Sequence, residues 1–179
     1  GRRGRRRGYA DPMSATRRLT TFTMLCALAI LFHYVESLIV IPLPVPGFRL
    51  GLANIIALIT LYLYDARAML AVSLMRVLFV SLLQGTLFAT SFWLSLSGVL
   101  LSCAAMSIAR RCRCFSIYGV SVLGSVFHCI GQVIAVSWIY RQFFMQALLP
   151  LLCALGVLSG LLIGALAHQV LNRLQRERE

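Results

Sequence analysis

Six apolar runs dominate this chain, and they leave it one environment in which to fold. A helix that crosses a bilayer needs about 20 apolar residues at about 1.5 Å of rise each. The runs read as predicted spans over about 19–41, 50–64, 66–84, 92–109, 117–139 and 145–174, with the apolar part of the last ending near Leu171. The first stops at PLPVPGF, whose three prolines forbid further helix. The second is short, and either tilts little or is partly re-entrant. With 60% hydrophobic and 12% charged residues in 179, a soluble domain could not hide the apolar surface. The expected fold is an all-α integral membrane protein, a six-helix bundle over residues 19–174. Residues 1–18 read as a basic, disordered N-terminal segment and 175–179 as a cytoplasmic tail. Within the head GRRGRRRGYADP, residues 1–12 are either upstream read-through, with Met13 as a natural start, or a basic tail.

The net charge of +12 resembles a nucleic-acid signature, but its placement argues for a membrane. All 17 basic residues are Arg. They gather at the N-terminus, the Asp65–Arg67 turn, the loop RRCRC and the tail NRLQRERE, while Arg49 and Arg141 fall on the other side. Those four places share a side if there are six spans, and the positive-inside rule makes that side cytoplasmic, N-in and C-in. Trp93 and Trp138 land at the opposite interface, where indole prefers to sit. The expected location is the cell membrane, with lipid as the surrounding partner and no nucleic acid bound. A polybasic head also suits anionic lipid.

Arg76 interrupts the run MLAVSLMRVLFVSLL. A charge at mid-bilayer costs about 2.5–3.5 kcal/mol on insertion scales, so it needs a partner or a wet cavity. Glu36, His33 one turn below it, Asn54, Gln84, His128 and Gln132 interrupt other runs. Depth along each helix places them in the outer half of the bilayer, with Arg49 at the rim. One reading is a set of satisfied interhelical hydrogen bonds, with Arg76 and Glu36 as a buried pair. It is favoured for His128 or Gln132 taken singly. For Arg76 with Glu36 a ligand pocket is favoured, because buried ions are retained at a cost. Arg76 and Arg49 would then face an anionic group while the histidines and amides orient the rest.

The remaining motifs concern packing. Gly156, Gly160 and Gly164 form GxxxGxxxG, and Ser91, Ser95, Gly98, Ser102 and Ala105 form a stripe of small residues. Both let helices approach closely; internal packing is favoured over a docking face. Cys26, Cys103, Cys129 and Cys153 read as small packing residues, and Cys112 and Cys114 in RRCRC as weak candidates for acylation or metal binding. No P-loop, HExxH, GxSxG or paired-aspartate motif is present, and Asp11 and Asp65 are the only aspartates. The chain therefore reads as no enzyme, with no catalytic residue, metal or cofactor expected.

The stretches HYVESLIVIPLPVPGFRLGLANIIALITLYLYDARAMLAVSLMRVLFVSLLQGTLF (33–88) and GVSVLGSVFHCIGQ (119–132) resemble the Gx transporter family, also labelled heptaprenyl diphosphate synthase component I. The likeness extends over about 19–174. The resemblance implies an architecture similar to the substrate-binding S components of energy-coupling-factor transporters: six helices binding a vitamin or precursor from outside. Carried over, the family-like positions are His33, Glu36, Ser37, Pro46, Gly47, Arg49, Gly51, Asn54, Arg76, Gly85, His128 and Gln132. S components dock a coupling subunit through small residues in the first helix, where this chain has only Thr23 and Ala27 at that spacing. The expected function is a substrate-binding subunit for a small anionic, isoprenoid or vitamin-related ligand, energised by separate transmembrane and ATPase subunits. The alternative is an accessory subunit of a prenyl synthase, bound to its catalytic subunit. An autonomous proton-coupled carrier ranks third.

Overall fold

The computed structural model describes residues 12–38, 53–112, 114–141, 146–147 and 149–176. Among the described residues there are six helices: α1 Pro12–Leu38, α2 Asn54–Leu63, α3 Ala66–Leu83, α4 Thr90–Cys112, α5 Ile117–Tyr140 and α6 Leu149–Arg176. Five are long and apolar enough to cross a membrane, the mark of a multi-pass membrane protein. The sixth, α2, has 10 residues, about 15 Å of helix against about 30 Å of hydrocarbon.

Helix ends depart from the sequence expectation where Arg is dense. Helix α1 begins at Pro12, so part of the segment expected to be disordered is helical. Proline has no N–H to lose at the first helical position, and Arg is a good helix former. Helix α4 runs past Ala109 and takes Arg110, Arg111 and Cys112 from the expected loop into its last turn. There the guanidinium groups offset the negative end of the helix dipole. Helix α6 likewise takes Arg176 from the expected tail; it is described from Leu149, and the expected start at Met145 lies outside the described residues.

Each long helix buries one stripe and gives the rest to lipid. On α3 the buried positions are Met69, Val72, Ser73, Arg76, Val77, Val80 and Ser81, spaced by three and four as one helical face requires. On α1 the stripe is Leu25, Ala29, His33 and Glu36, with Leu28, Phe32 and Val35 exposed. The pattern is inverted from a soluble protein: polar groups turn inward and leucine outward.

Helix α2 has no lipid face. Ile56, Ala57, Leu58, Ile59, Thr60 and Leu61 are consecutive and all buried, and α2 touches each of the other five helices. Around it, α1 packs on α3, α3 on α4, α4 on α5 and α5 on α6; among the described residues α1 and α6 do not meet, and α2 lies against both.

The α4–α5–α6 layer is closed by glycine. A Cβ on Gly131 of α5 would lie 2.7 Å from the Ser97 carbonyl oxygen and 2.8 Å from the Gly98 Cα of α4. One on Gly160 of α6 would lie 2.6 Å from the Val122 Cα of α5. Real side chains never sit this close to backbone, so these contacts require glycine. Ser97 Oγ donates to the Gly131 carbonyl at 3.0 Å and Ser121 Oγ to the Gly160 carbonyl at 2.7 Å. Gly156 and Gly164 face Val126 and Tyr118 of the same helix, so the GxxxGxxxG motif is spent inside the bundle.

Candidate functional site

Two ring contacts fix which helix ends lie together. Tyr64, just after α2, donates its hydroxyl to the Arg18 carbonyl of α1 at 3.1 Å, under the Arg18 guanidinium 5.7 Å from its ring centroid. Arg110 of α4 stacks over Tyr62 at 5.1 Å. The start of α1, the α2–α3 turn and the end of α4 thus form one basic end of the bundle. Helix α3 leaves this end at Ala66 and α4 arrives at Cys112. Arg76 and Ser102 each stand about ten residues, or about 15 Å, from those termini. That distance is about half the thickness of a bilayer's hydrocarbon layer, about 30 Å. Because α2 is short, its first residue, Asn54, reaches the same level.

These three residues are bonded to one another. Arg76 is 2% exposed, and its Nη2 donates to Asn54 Oδ1 at 2.7 Å. Asn54 Nδ2 donates to Ser102 Oγ at 3.4 Å. On the other side of α2 the Ala53 N–H donates to Glu36 Oε2 at 3.5 Å, a long hydrogen bond. Among the described residues no side chain caps α2 at its N-cap position, so the partial positive charge of its N-terminus lies beside a guanidinium. A helix end of this kind favours an anion, and the Glu36 carboxyl is placed to offset part of that charge.

The other expected site residues fall around this core. His33 is buried on α1 one turn from Glu36. His128 is buried on α5, its ring against Gly98: a Cβ there would lie 2.9 Å from His128 Nδ1, so the glycine makes the slot for the imidazole. Gln132, one turn further along α5, is 0% exposed, and among the described residues neither its Oε1 nor its Nε2 has a hydrogen-bond partner. The interhelical bond expected of Gln132 is not found among the described residues. Gln84 stands apart, at the end of α3 remote from the basic end, where its Nε2 donates to Ser37 Oγ of α1. Arg49, with Pro46, Gly47 and Gly51, lies outside the described residues. Ser102, assigned to packing by its place in a small-residue stripe, is part of the Asn54 contact. A hydroxyl on the buried face of an apolar helix was the signal for it.

Chemically, the centre offers one guanidinium, one carboxyl, an asparagine, a fully buried glutamine amide and the positive end of a helix. That set can hold an anionic or polar group and orient it. The described cysteines are all free, and among the described residues no group of three His, Cys, Asp or Glu is placed to hold a metal ion. Open grooves lie instead at the bundle ends, one beside Trp138, Arg141 and Gln146 and one at the basic end.

A family model described as heptaprenyl diphosphate synthase component I matches residues 25–170. Comparison with curated proteins and with solved structures finds no match.

Proposed function

This chain belongs to the heptaprenyl diphosphate synthase component I family, and from that premise we propose that it is a substrate-binding membrane subunit, S-component-like in design. It takes a small anionic, isoprenoid or vitamin-related ligand from outside and works with a separate energising partner. The observation that carries this reading is the Arg76–Asn54 bond at the N-terminus of a half-length helix in the bilayer centre. Membrane transporters use such half-helix N-termini to receive anionic substrates. Gln132 supports it, since a fully buried amide with no hydrogen-bond partner among the described residues calls for an explanation. Thr23 and Ala27 lie on the exposed face of α1, open to a coupling subunit.

The family description itself favours a second reading, in which the chain is a non-catalytic accessory subunit bound to the catalytic chain of a prenyl synthase. Native mass spectrometry of the gently released, detergent-purified protein separates the two. The first reading expects a discrete bound metabolite that disappears in Glu36→Ala. An empty protein with a stoichiometric protein partner would replace it with the second.

The same proposal places six spans in the plasma membrane over residues 19–174, with the basic end and both termini in the cytoplasm. Its support is the Arg distribution. Cys112 and Cys114 are exposed at that end and serve as native reporters. A membrane-impermeant maleimide is expected to label them in inside-out vesicles and to leave them unlabelled in intact cells. Labelling of intact cells would invert the orientation.

A further inference from the structure

The end of the bundle opposite the basic one holds a groove of about 640 Å³, lined by Ile134, Ser137, Trp138, Ile139, Arg141 and Gln146. Position along α5 sets the depth of these residues. Ile117 opens α5 just past the end of α4, at the basic end. From there Ile134 stands about 26 Å along the helix, Trp138 about 32 Å and Arg141 about 36 Å, against about 30 Å of hydrocarbon. Ile134 and Trp138 are one turn apart and share a face, and both are exposed. The groove therefore runs from hydrocarbon, past an indole at the interface, to a guanidinium beyond it.

Two polar groups in the groove are set for an outside partner. Helix hydroxyls in this protein commonly donate to the carbonyl four residues back, as those of Thr23, Thr60 and Ser107 do. The Ser137 hydroxyl is buried in the groove wall, yet has no hydrogen-bond partner among the described residues. A group of that kind is costly unless a bound molecule meets it. Arg141 ends α5 in the left-handed conformation, φ 50° and ψ 29°, a place that glycine ordinarily takes. The strain is kept, and with it an exposed guanidinium at the mouth of the groove. The sequence has no acidic residue between Asp65 and Glu177. No carboxylate in the groove wall therefore competes for that guanidinium, and none is there to hold a headgroup ammonium.

We propose that this groove binds one anionic phospholipid. Its phosphodiester lies at Arg141, its ester region at the Ser137 hydroxyl and the Trp138 indole N–H, and an acyl chain along Ile134. One guanidinium matches the single charge of a phosphodiester, and its fork suits phosphate oxygens. The Gln146 amide adds a partner for a headgroup hydroxyl. This site stands apart from the one at Arg76 and is the same for either orientation of the chain in the membrane.

The test uses Trp138 as its own reporter. The chain has two tryptophans, so Trp93→Phe leaves Trp138 alone. The full chain with that change is placed in phosphatidylcholine vesicles that carry either phosphatidylglycerol or phosphatidylcholine brominated high on the acyl chains, where bromine quenches a neighbouring indole. Phosphatidylglycerol is expected to associate with Trp138 about fivefold more strongly, the effect of one Arg at a charged membrane surface. Arg141→Gln should remove that preference and Arg141→Lys should keep most of it, while Arg67→Gln at the basic end leaves it unchanged. Arg141 is exposed, so its replacement spares the fold, which an unchanged melting temperature would verify. Equal quenching by the two lipids overturns the site, as does a preference that survives Arg141→Gln. Relief of the quenching by excess soluble glycerol phosphate would make the ligand a soluble phosphate ester and overturn the lipid.

Discussion

Gly131→Leu is expected to force α4 and α5 apart and to lower the melting temperature of the bundle by several degrees or more. The added Cβ alone would lie 2.7 Å from the Ser97 carbonyl oxygen and 2.8 Å from the Gly98 Cα. Neither backbone atom can rotate away as a side chain would. Overpacking a core costs about 1–3 kcal/mol when side chains can yield, and this contact belongs at or above the upper end. For a domain of this size about 3 kcal/mol is a fall of about 6–12 °C in melting temperature. The shift also disturbs the slot in which Gly98 receives His128, so ligand retention should fall with stability. Ala104→Leu, on the exposed face of α4, adds similar bulk toward lipid and should leave the melting temperature where it was. Equal melting temperatures for the Gly131 variant and the wild type would mean that the two helices do not approach this closely.

Arg76→Ala should move two measurements in opposite directions. Insertion of the isolated α3 segment improves by about 2.5–3.5 kcal/mol, because a charge has left the centre of an apolar helix. The folded bundle loses stability, because Asn54 Oδ1 gives up its 2.7 Å donor in a site without bulk water; a buried acceptor left unsatisfied costs about 1–3 kcal/mol. Bound metabolite should be lost altogether. Insertion is read by glycosylation mapping, stability by thermal melting in detergent and ligand by native mass spectrometry. An Arg76→Ala protein that keeps its metabolite in full would remove the mid-membrane site as the binding site. One that melts as the wild type does would mean that the Asn54 bond is replaced by another donor.

Much of this was legible before any coordinates. The predicted limits for α3 and α5 fall within one residue of those found, because an abrupt change from apolar to charged or turn-forming residues marks them. The limits of α1 and α4 were misjudged where Arg borders an apolar run, before it in α1 and after it in α4, since hydropathy reports where a helix leaves lipid and not where it ends. The demand that Arg76 find a polar neighbour was legible from its cost; that Asn54 would accept from it was not. Glu36 was the obvious counter-ion by charge; the bond from Arg76 to Asn54 comes in addition to that expectation, because α2 is short and its first residue stands at the level of Arg76. That geometry depends on how far α2 extends, which periodicity does not report. Enclosure of α2 had a trace in the sequence: IIALITLYL offers no polar face, as a helix surrounded on all sides requires. Small residues announced close packing, but not which helices would meet, because GxxxG fits any apposed backbone.

The shortness of α2 also bears on how the protein is made. At about half the length of a spanning segment, α2 is a poor substrate for insertion by itself. Its entry is tied to a neighbour, and the α3 hairpin that begins at the Asp65 cap is placed to carry it in. The glycine-lined α4–α5–α6 layer needs nothing from α2 and can associate as soon as its three helices are in lipid. Because Asn54 rides on α2, the Arg76–Asn54 contact exists only once α2 is seated among its neighbours.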